Sequence, residues 1–291
     1  MPLIREFAPA KINLTLDVLG KRLDDYHEIV SLIAFAADVG DVVTLDTQKP
    51  MAVSLSGPFA ASIAGANLVE TTLRLIEAHA PHLRLGAIHL EKNLPVAAGI
   101  GGGSADAAAV MRAVRKANLS NESAAHLDWP AIGLKLGADV PVCLHSHLSW
   151  VTGVGETVVP AQTTHDGLPT VIANPLVPVP LDKTAQVFRA LGAAPLSGTH
   201  RRSGGPAAIT NMVELARGGS NTLEAAARKV VPAVDEVLAA LSSCDGNLLT
   251  RMSGAGPTCF ALFGTQEAAR QAANALAQSH PQWWVRATTL N

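Results

Sequence analysis

Four glycines within five positions, Gly99, Gly101, Gly102 and Gly103, constrain this chain more than any other stretch. They sit in Pro95-Val-Ala-Ala-Gly-Ile-Gly-Gly-Gly-Ser-Ala-Asp106, directly ahead of an alanine-rich segment that runs to Lys116. Glycine loses more backbone entropy on folding than any other residue, so four together need a reason. A run without side chains reaches φ > 0 and lets backbone N–H groups close on a ligand. The segment after it is rich in strong helix formers, with Ser104 as the expected N-cap. The bland reading is a tight turn before a buried helix. The functional reading is an anion site, where free N–H groups and the positive end of the helix dipole converge on phosphate. The entropic cost of the glycines favours phosphate.

Two better-known phosphate loops are excluded. A Walker A loop ends in Gly-Lys-Ser/Thr, and no Gly-Lys follows here. The dinucleotide fingerprint wants glycine where Ser104 stands, and an acid closing a strand about 20 positions on; Glu122 and Asp128 close no recognisable strand.

Composition narrows the class. At 291 residues, 48% hydrophobic and 16% charged, the chain can bury one large or two medium cores. A formal net charge of −2 supplies no basic field for nucleic acid. Cys143, Cys244 and Cys259 form no CxxC pair, which fits a reducing cytoplasm. The first residues lack a secretory apolar core and no 18-residue apolar run appears, so no membrane partner is expected. His145 and His147 are spaced for one face of a strand, without a third ligand; a solvated strand end is preferred and no metal ligand is assigned.

The first hundred residues read as strand-rich. Strands are expected at 3–7, at 12–18 with strict alternation, at 29–35, 41–45 and 85–91. A helix is expected over 67–79 with Asn67 as N-cap. A helix over 129–136 ends at Gly137, and Asp139 follows in a turn before Pro141. The second half predicts strands at 170–175, 248–252, 259–263 and 284–289, and helices at 182–191, 221–241 interrupted at Pro232, and 267–279. Residues 196–210 read as a Gly/Ser-rich mobile loop carrying Arg201 and Arg202.

The spacing P-x-x-x-G-x-G-x-x-S-A resembles the second motif of the GHMP kinases, which binds the triphosphate of ATP. Pro9-Ala-Lys-Ile-Asn-Leu14, Asp25-Tyr-His27, Leu136-Gly-Ala-Asp-Val-Pro141 and Met252-Ser-Gly-Ala-Gly-Pro-Thr-Cys-Phe-Ala-Leu-Phe263 extend the resemblance from residue 8 to residue 263. They are similar to one branch of that family, which acts on cytidine diphosphate methylerythritol. The resemblance implies an α+β two-domain GHMP kinase fold, with a ribosomal S5 domain 2-like N-terminal domain over 1–158 and a ferredoxin-like C-terminal domain over 159–291. It also implies a small-molecule kinase that is a monomer or homodimer, with ATP and Mg²⁺ as cofactors.

Roles follow residue by residue. Pro95, Val96, Ala97, Ala98, Gly99, Ile100, Gly101, Gly102, Gly103, Ser104 and Ala105 would hold the phosphates. Asp139 would be the catalytic acid–base group and Lys11 the cation beside it, although an acid in a turn is commonly a cap and a lysine at a strand end is commonly a solvated charge. Tyr26 would stack on cytosine, His27 would hydrogen-bond its edge, and Asn13 would face the erythritol or diphosphate; the alternative for Tyr26 and His27 is a surface turn. Asn67 and Lys92 match positions that approach the adenosine, and Ser253, Gly254 and Gly256 match a turn that packs on the phosphate loop. Two departures stand out: Asp25 replaces a usual glycine, and residues 177–188 are longer than usual, with Phe188 as a possible second aromatic against cytosine. Rival readings are a homoserine or mevalonate-type kinase, an NAD-dependent oxidoreductase, and a non-catalytic relative.

Overall fold

The computed structural model describes residues 3–63, 67–163, 167–180, 182–196, 205–206 and 208–291. Most of the expected loop at 196–210, including both arginines, lies outside the described residues.

Two long strands organise the chain: β1, Ile4–Lys21, and β2, His27–Asp46, which pair with each other. Each was expected as two shorter strands. The pieces join because residues 8–11 of β1 and 36–40 of β2, which lie between them, continue as extended strand, and in β1 the polar face Lys11, Asn13 and Thr15 is buried along with the apolar one. The chain divides into two compact units: residues 1–10, 39–96 and 101–146 form one, and residues 11–38, 97–100 and 147–291 the other. This division is discontinuous, unlike the contiguous split at 158, because β1 and β2 each contribute to both units.

In the first unit, Val42–Asp46 of β2 pairs antiparallel with Ala87–Glu91, which pairs in parallel with Ala52–Ser56. The parallel pair is joined through helix α1, Leu68–His79, as parallel strands require a crossover. Helix α2, Gly102–Ala117, buries Ala105, Ala107, Ala108, Ala109 and Ala113; these small side chains allow close packing. Its last turn carries Arg115 and Lys116, which suit the negative end of the dipole. Arg112 donates to Glu6 at 3.0 Å, to the Phe7 carbonyl at 2.6 Å and to the Cys143 carbonyl at 2.7 Å. It thereby ties the start of β1 to the short helix Val140–His145.

In the second unit, Asn247–Met252, Cys259–Phe263, Leu168–Asn174 and Trp284–Leu290 form successive antiparallel pairs, with Thr250 opposite Ala261, Ala261 opposite Val171, and Val171 opposite Ala287. Ile29–Ile33 of β2 pairs with Ser149–Gly153. Helices Lys183–Leu191, Glu224–Val230, Ala233–Ser242 and Gln266–Ser279 pack a core of Val187, Ala227, Val237, Leu241, Phe263 and Leu276. Pro232 separates two of these helices, as the pattern predicts.

Three local expectations change. The N-cap of α2 is Gly101, in the left-handed region at φ 65°, so Ser104 falls inside the first turn. His145 ends a helix and does not lie on a strand, because Asp139 and Pro141 start the short helix Val140–His145. The strand Ala52–Ser56 and the helix Met212–Gly218 were not anticipated; the first is short and largely exposed.

Candidate active site

The glycine loop leads into α2. The first N–H groups of a helix have no partner within it, and here they belong to Gly102, Gly103 and Ser104. A Cβ on Gly103 would meet only Leu68, at 3.8 Å. Protein packing therefore does not require glycine there, and glycine in a helix costs about 1 kcal/mol relative to alanine.

Gly99 has a packing reason. At φ 81°, its Cβ would lie 2.6 Å from the Gly256 carbonyl and 2.8 Å from that of Ser253. The turn Ser253–Gly256 thus packs backbone against backbone on the loop. Ser253 Oγ donates to the Gly99 carbonyl at 3.2 Å, and Thr258 N–H donates to that of Ala98 at 3.1 Å.

Lys11 belongs to the same cluster. Its N–H donates to the Ile100 carbonyl at 2.9 Å, and its ammonium donates to Asn13 Oδ1 at 2.9 Å. Asn13 is oriented in turn, since its amide donates to Ser31 Oγ at 2.8 Å and its backbone N–H to Ser253 Oγ at 3.1 Å. Lys11 is 3% exposed, so it is a buried cation inside β1 and not a solvated strand end.

Asp139 stands at the N-cap of Val140–His145, half-buried, without a side-chain capping bond. It belongs to the first unit and Lys11 to the second.

Tyr26 is 61% exposed on the turn between β1 and β2. His27 stacks on Phe188, with ring centroids 4.6 Å apart. Burial, and then the charge of Lys21, hold its imidazole below the usual range, which favours the neutral ring. Asp25 has φ 66°, so this position does use the left-handed conformation that glycine takes without cost.

Two expected nucleotide contacts have other partners. Asn67 caps α1, accepting from Val69 N–H at 3.0 Å. Lys92 is 3% exposed and its ammonium contacts Asp41 at 2.5 Å and Asp106 at 2.6 Å. A Cβ on Gly102 would lie 3.2 Å from that ammonium, so Lys92 supports the first turn of α2 from within the protein. Asp41 and Asp106 were not singled out as its partners. Lys183, also not singled out, donates to the carbonyls of Ala97 and Gly256. Its one sequence signal is a cation at a helix N-terminus, against the dipole.

This fold and loop define a class. The GHMP kinases N terminal domain matches residues 67–147, and the GHMP kinases C terminal domain matches residues 206–282. The chain belongs to the GHMP kinase family, whose members use ATP. Within it, the chain is 46% identical over 300 residues to the 4-diphosphocytidyl-2-C-methyl-D-erythritol kinase of Methylobacterium radiotolerans, with 100% of both chains covered. It is 43% identical over 302 residues to the kinase of the same name from Bradyrhizobium diazoefficiens, covering 100% of this chain and 99% of the relative. A crystal structure of 4-(cytidine 5'-diphospho)-2C-methyl-D-erythritol kinase superposes with a TM-score of 0.73 at 31% identity, covering 99% of each chain. A homoserine kinase from Cytophaga hutchinsonii, at TM-score 0.67 and 21% identity over 100% of this chain and 96% of its own, shares the fold. Among the described residues, no helix is long and apolar enough to cross a membrane.

Proposed function

We infer that this chain transfers the γ-phosphoryl group of ATP to the 2-hydroxyl of 4-diphosphocytidyl-2-C-methyl-D-erythritol, a step of non-mevalonate isoprenoid biosynthesis. The observation that carries the reading is the open first turn of α2, where Gly103 has no packing reason to be glycine, in a chain whose full-length relatives carry that name.

Phosphoryl transfer needs positioning, charge neutralisation and one proton acceptor. The free amides of the loop between Pro95 and Ala105 hold the triphosphate, and Mg²⁺ bound with ATP would neutralise part of its charge. Asp139 takes the proton as the substrate oxygen bonds to the γ-phosphorus and the bond to the β-phosphate oxygen breaks, releasing ADP. The Lys11 ammonium, oriented by Asn13, stabilises the developing charge on the attacking oxygen. His27 and Phe188 form one wall of a cytosine site, and Tyr26 supplies a second ring. Asn67 and Lys92 act through α1 and α2 instead of on the adenosine itself.

The test is ADP release with Mg²⁺-ATP and each of three acceptors. Turnover with the cytidine diphosphate substrate and none above background with homoserine or mevalonate is expected. Preference for either of the other two would overturn the reading.

A further inference from the structure

Lys183 is the first residue of the helix Lys183–Leu191, yet only 2% of it is exposed. Its ammonium donates to the Ala97 carbonyl at 3.0 Å and to the Gly256 carbonyl. Among the described residues no carboxylate pairs with it, and burial alone pushes its pKa down to about 8. Three costs meet at this side chain: a buried charge, no counter-ion, and a cation at the positive end of a helix. A leucine or methionine would fill the space without them. What those residues could not do is satisfy two buried carbonyls.

Both carbonyls belong to residues in the left-handed region. Ala97 has φ 55° and Gly256 φ 69°. For alanine this conformation costs on the order of 1–2 kcal/mol, so something must hold it. A trans peptide sets C=O and N–H on opposite sides. With the Ala97 carbonyl fixed toward Lys183, the Ala98 N–H is turned the other way, and the Ala98 carbonyl is itself fixed by Thr258.

We propose that Lys183 is a positioning residue for phosphoryl transfer: by holding the Ala97 and Gly256 carbonyls, it sets the direction in which the amides of residues 97–100 meet the ATP phosphates. The role rests on the ATP-binding reading of the loop above. It adds a requirement for a donor that touches neither substrate.

The experiment compares the full-length wild type with Lys183→Met, Lys183→Arg, and Lys183→Met combined with Ala97→Gly. Affinity for Mg²⁺ and a non-hydrolysable ATP analogue is measured by calorimetry, kcat and both KM values by ADP release, and folding by the thermal midpoint without ligand. Lys183→Met is expected to lower analogue affinity and kcat/KM for ATP at least tenfold, while KM for the cytidine substrate moves less than threefold. Ala97→Gly is expected to recover at least threefold of the loss, since glycine takes the left-handed conformation unaided. Lys183→Arg, which keeps the donor, should fall between wild type and Lys183→Met, and it carries the test if the methionine variant does not fold. Wild-type analogue affinity in Lys183→Met, or equal changes in both KM values without recovery by Ala97→Gly, would overturn the role. A wild type that binds the analogue but turns over no acceptor would overturn the assigned substrate and leave the analogue comparison valid.

Discussion

Lys92 Nζ and Asp106 Oδ2 lie 2.6 Å apart beneath the first turn of α2. A second acid, Asp41, shares the ammonium at 2.5 Å and accepts from the backbone N–H groups of Asn93 and Leu94. Asp106 is less well served: among the described residues its buried Oδ1 has no hydrogen-bond partner. Burial, with the nearby Asp41 charge and against the pull of Lys92, pushes its pKa up to about 8.

The first prediction concerns pH. The folded-state pKa of Asp106 is raised above its ordinary value of 3.8, so the folded chain keeps a proton that the unfolded chain releases. The resulting stability is fully present below about pH 4 and is lost as pH rises through about 8. Asp106→Asn, which removes the titration with little change of shape, should flatten that loss, which is on the order of several kcal/mol. Denaturant unfolding of both proteins between pH 5 and pH 9 checks it; parallel curves would refute the assignment.

The second prediction removes the shared cation. Lys92→Met leaves two buried acids without it, and breaking a buried pair in this way costs on the order of 3–5 kcal/mol. Adding Asp41→Asn, which removes the carboxylate charge left behind, should recover part of that loss. If urea titration finds Lys92→Met within about 1 kcal/mol of wild type, the triad is not a support for α2.

Catalysis supplies the third prediction. Asp139→Asn and Lys11→Met should each reduce kcat by about 10²–10⁴-fold, the range of general acid–base and electrostatic contributions, with smaller changes in KM. Because Lys11 Nζ bonds Asn13 Oδ1, Asn13→Ala should also lower kcat, by loosening the ammonium. Steady-state kinetics at saturating ATP decides it; near-normal turnover in Asp139→Asn would remove that residue as proton acceptor.

The legibility of these features in the sequence follows how local their causes are. The glycine loop, α1 with its Asn67 cap, and the break at Pro232 depend on neighbouring residues and were readable. The full lengths of β1 and β2 were not, because the joining segments, residues 8–11 and 36–40, carry no clear alternation of their own. The partners of Lys92 could not be found from spacing, since Asp41 stands 51 residues away. Lys183 carried a weak local signal, a cation at a helix start, and its partners lie 86 and 73 residues off. Roles for Tyr26 and His27 came from family resemblance, and the stacking of His27 on Phe188 is a tertiary contact that no local pattern encodes.

The fourth prediction concerns Asp25, whose φ of 66° strains any residue with a Cβ. Its carboxylate lies 2.7 Å from Lys21, an exposed surface pair that contributes little. Asp25→Gly should therefore keep or raise the thermal midpoint, and Asp25→Val should lower it, since a β-branched residue tolerates this conformation least. If Tyr26 and His27 bind cytosine, Asp25→Val should also raise KM for the cytidine substrate and leave that for ATP unchanged. Differential scanning fluorimetry and paired KM measurements test both; a valine variant with wild-type behaviour in each would show that the turn does not need this conformation.

Lys183 provides the last prediction, which separates its charge from its hydrogen bonds. Its folded-state pKa is lowered from 10.5 to about 8 by burial. Above about pH 10.5 neither state carries the charge and burial costs nothing; as pH falls toward 8 the unfolded chain takes up a proton that the folded chain resists. Stability contributed by this group is therefore lost as pH falls through that window, by about 3 kcal/mol, and the cost is constant below it. Lys183→Met has no such titration. The difference in unfolding free energy between wild type and variant should shift in favour of wild type between pH 8 and pH 10.5, while the lost hydrogen bonds to Ala97 and Gly256 add an offset independent of pH. A difference that stays flat across the window would mean that the ammonium is solvated in the folded state, and that the two carbonyls are held by something other than a buried charge.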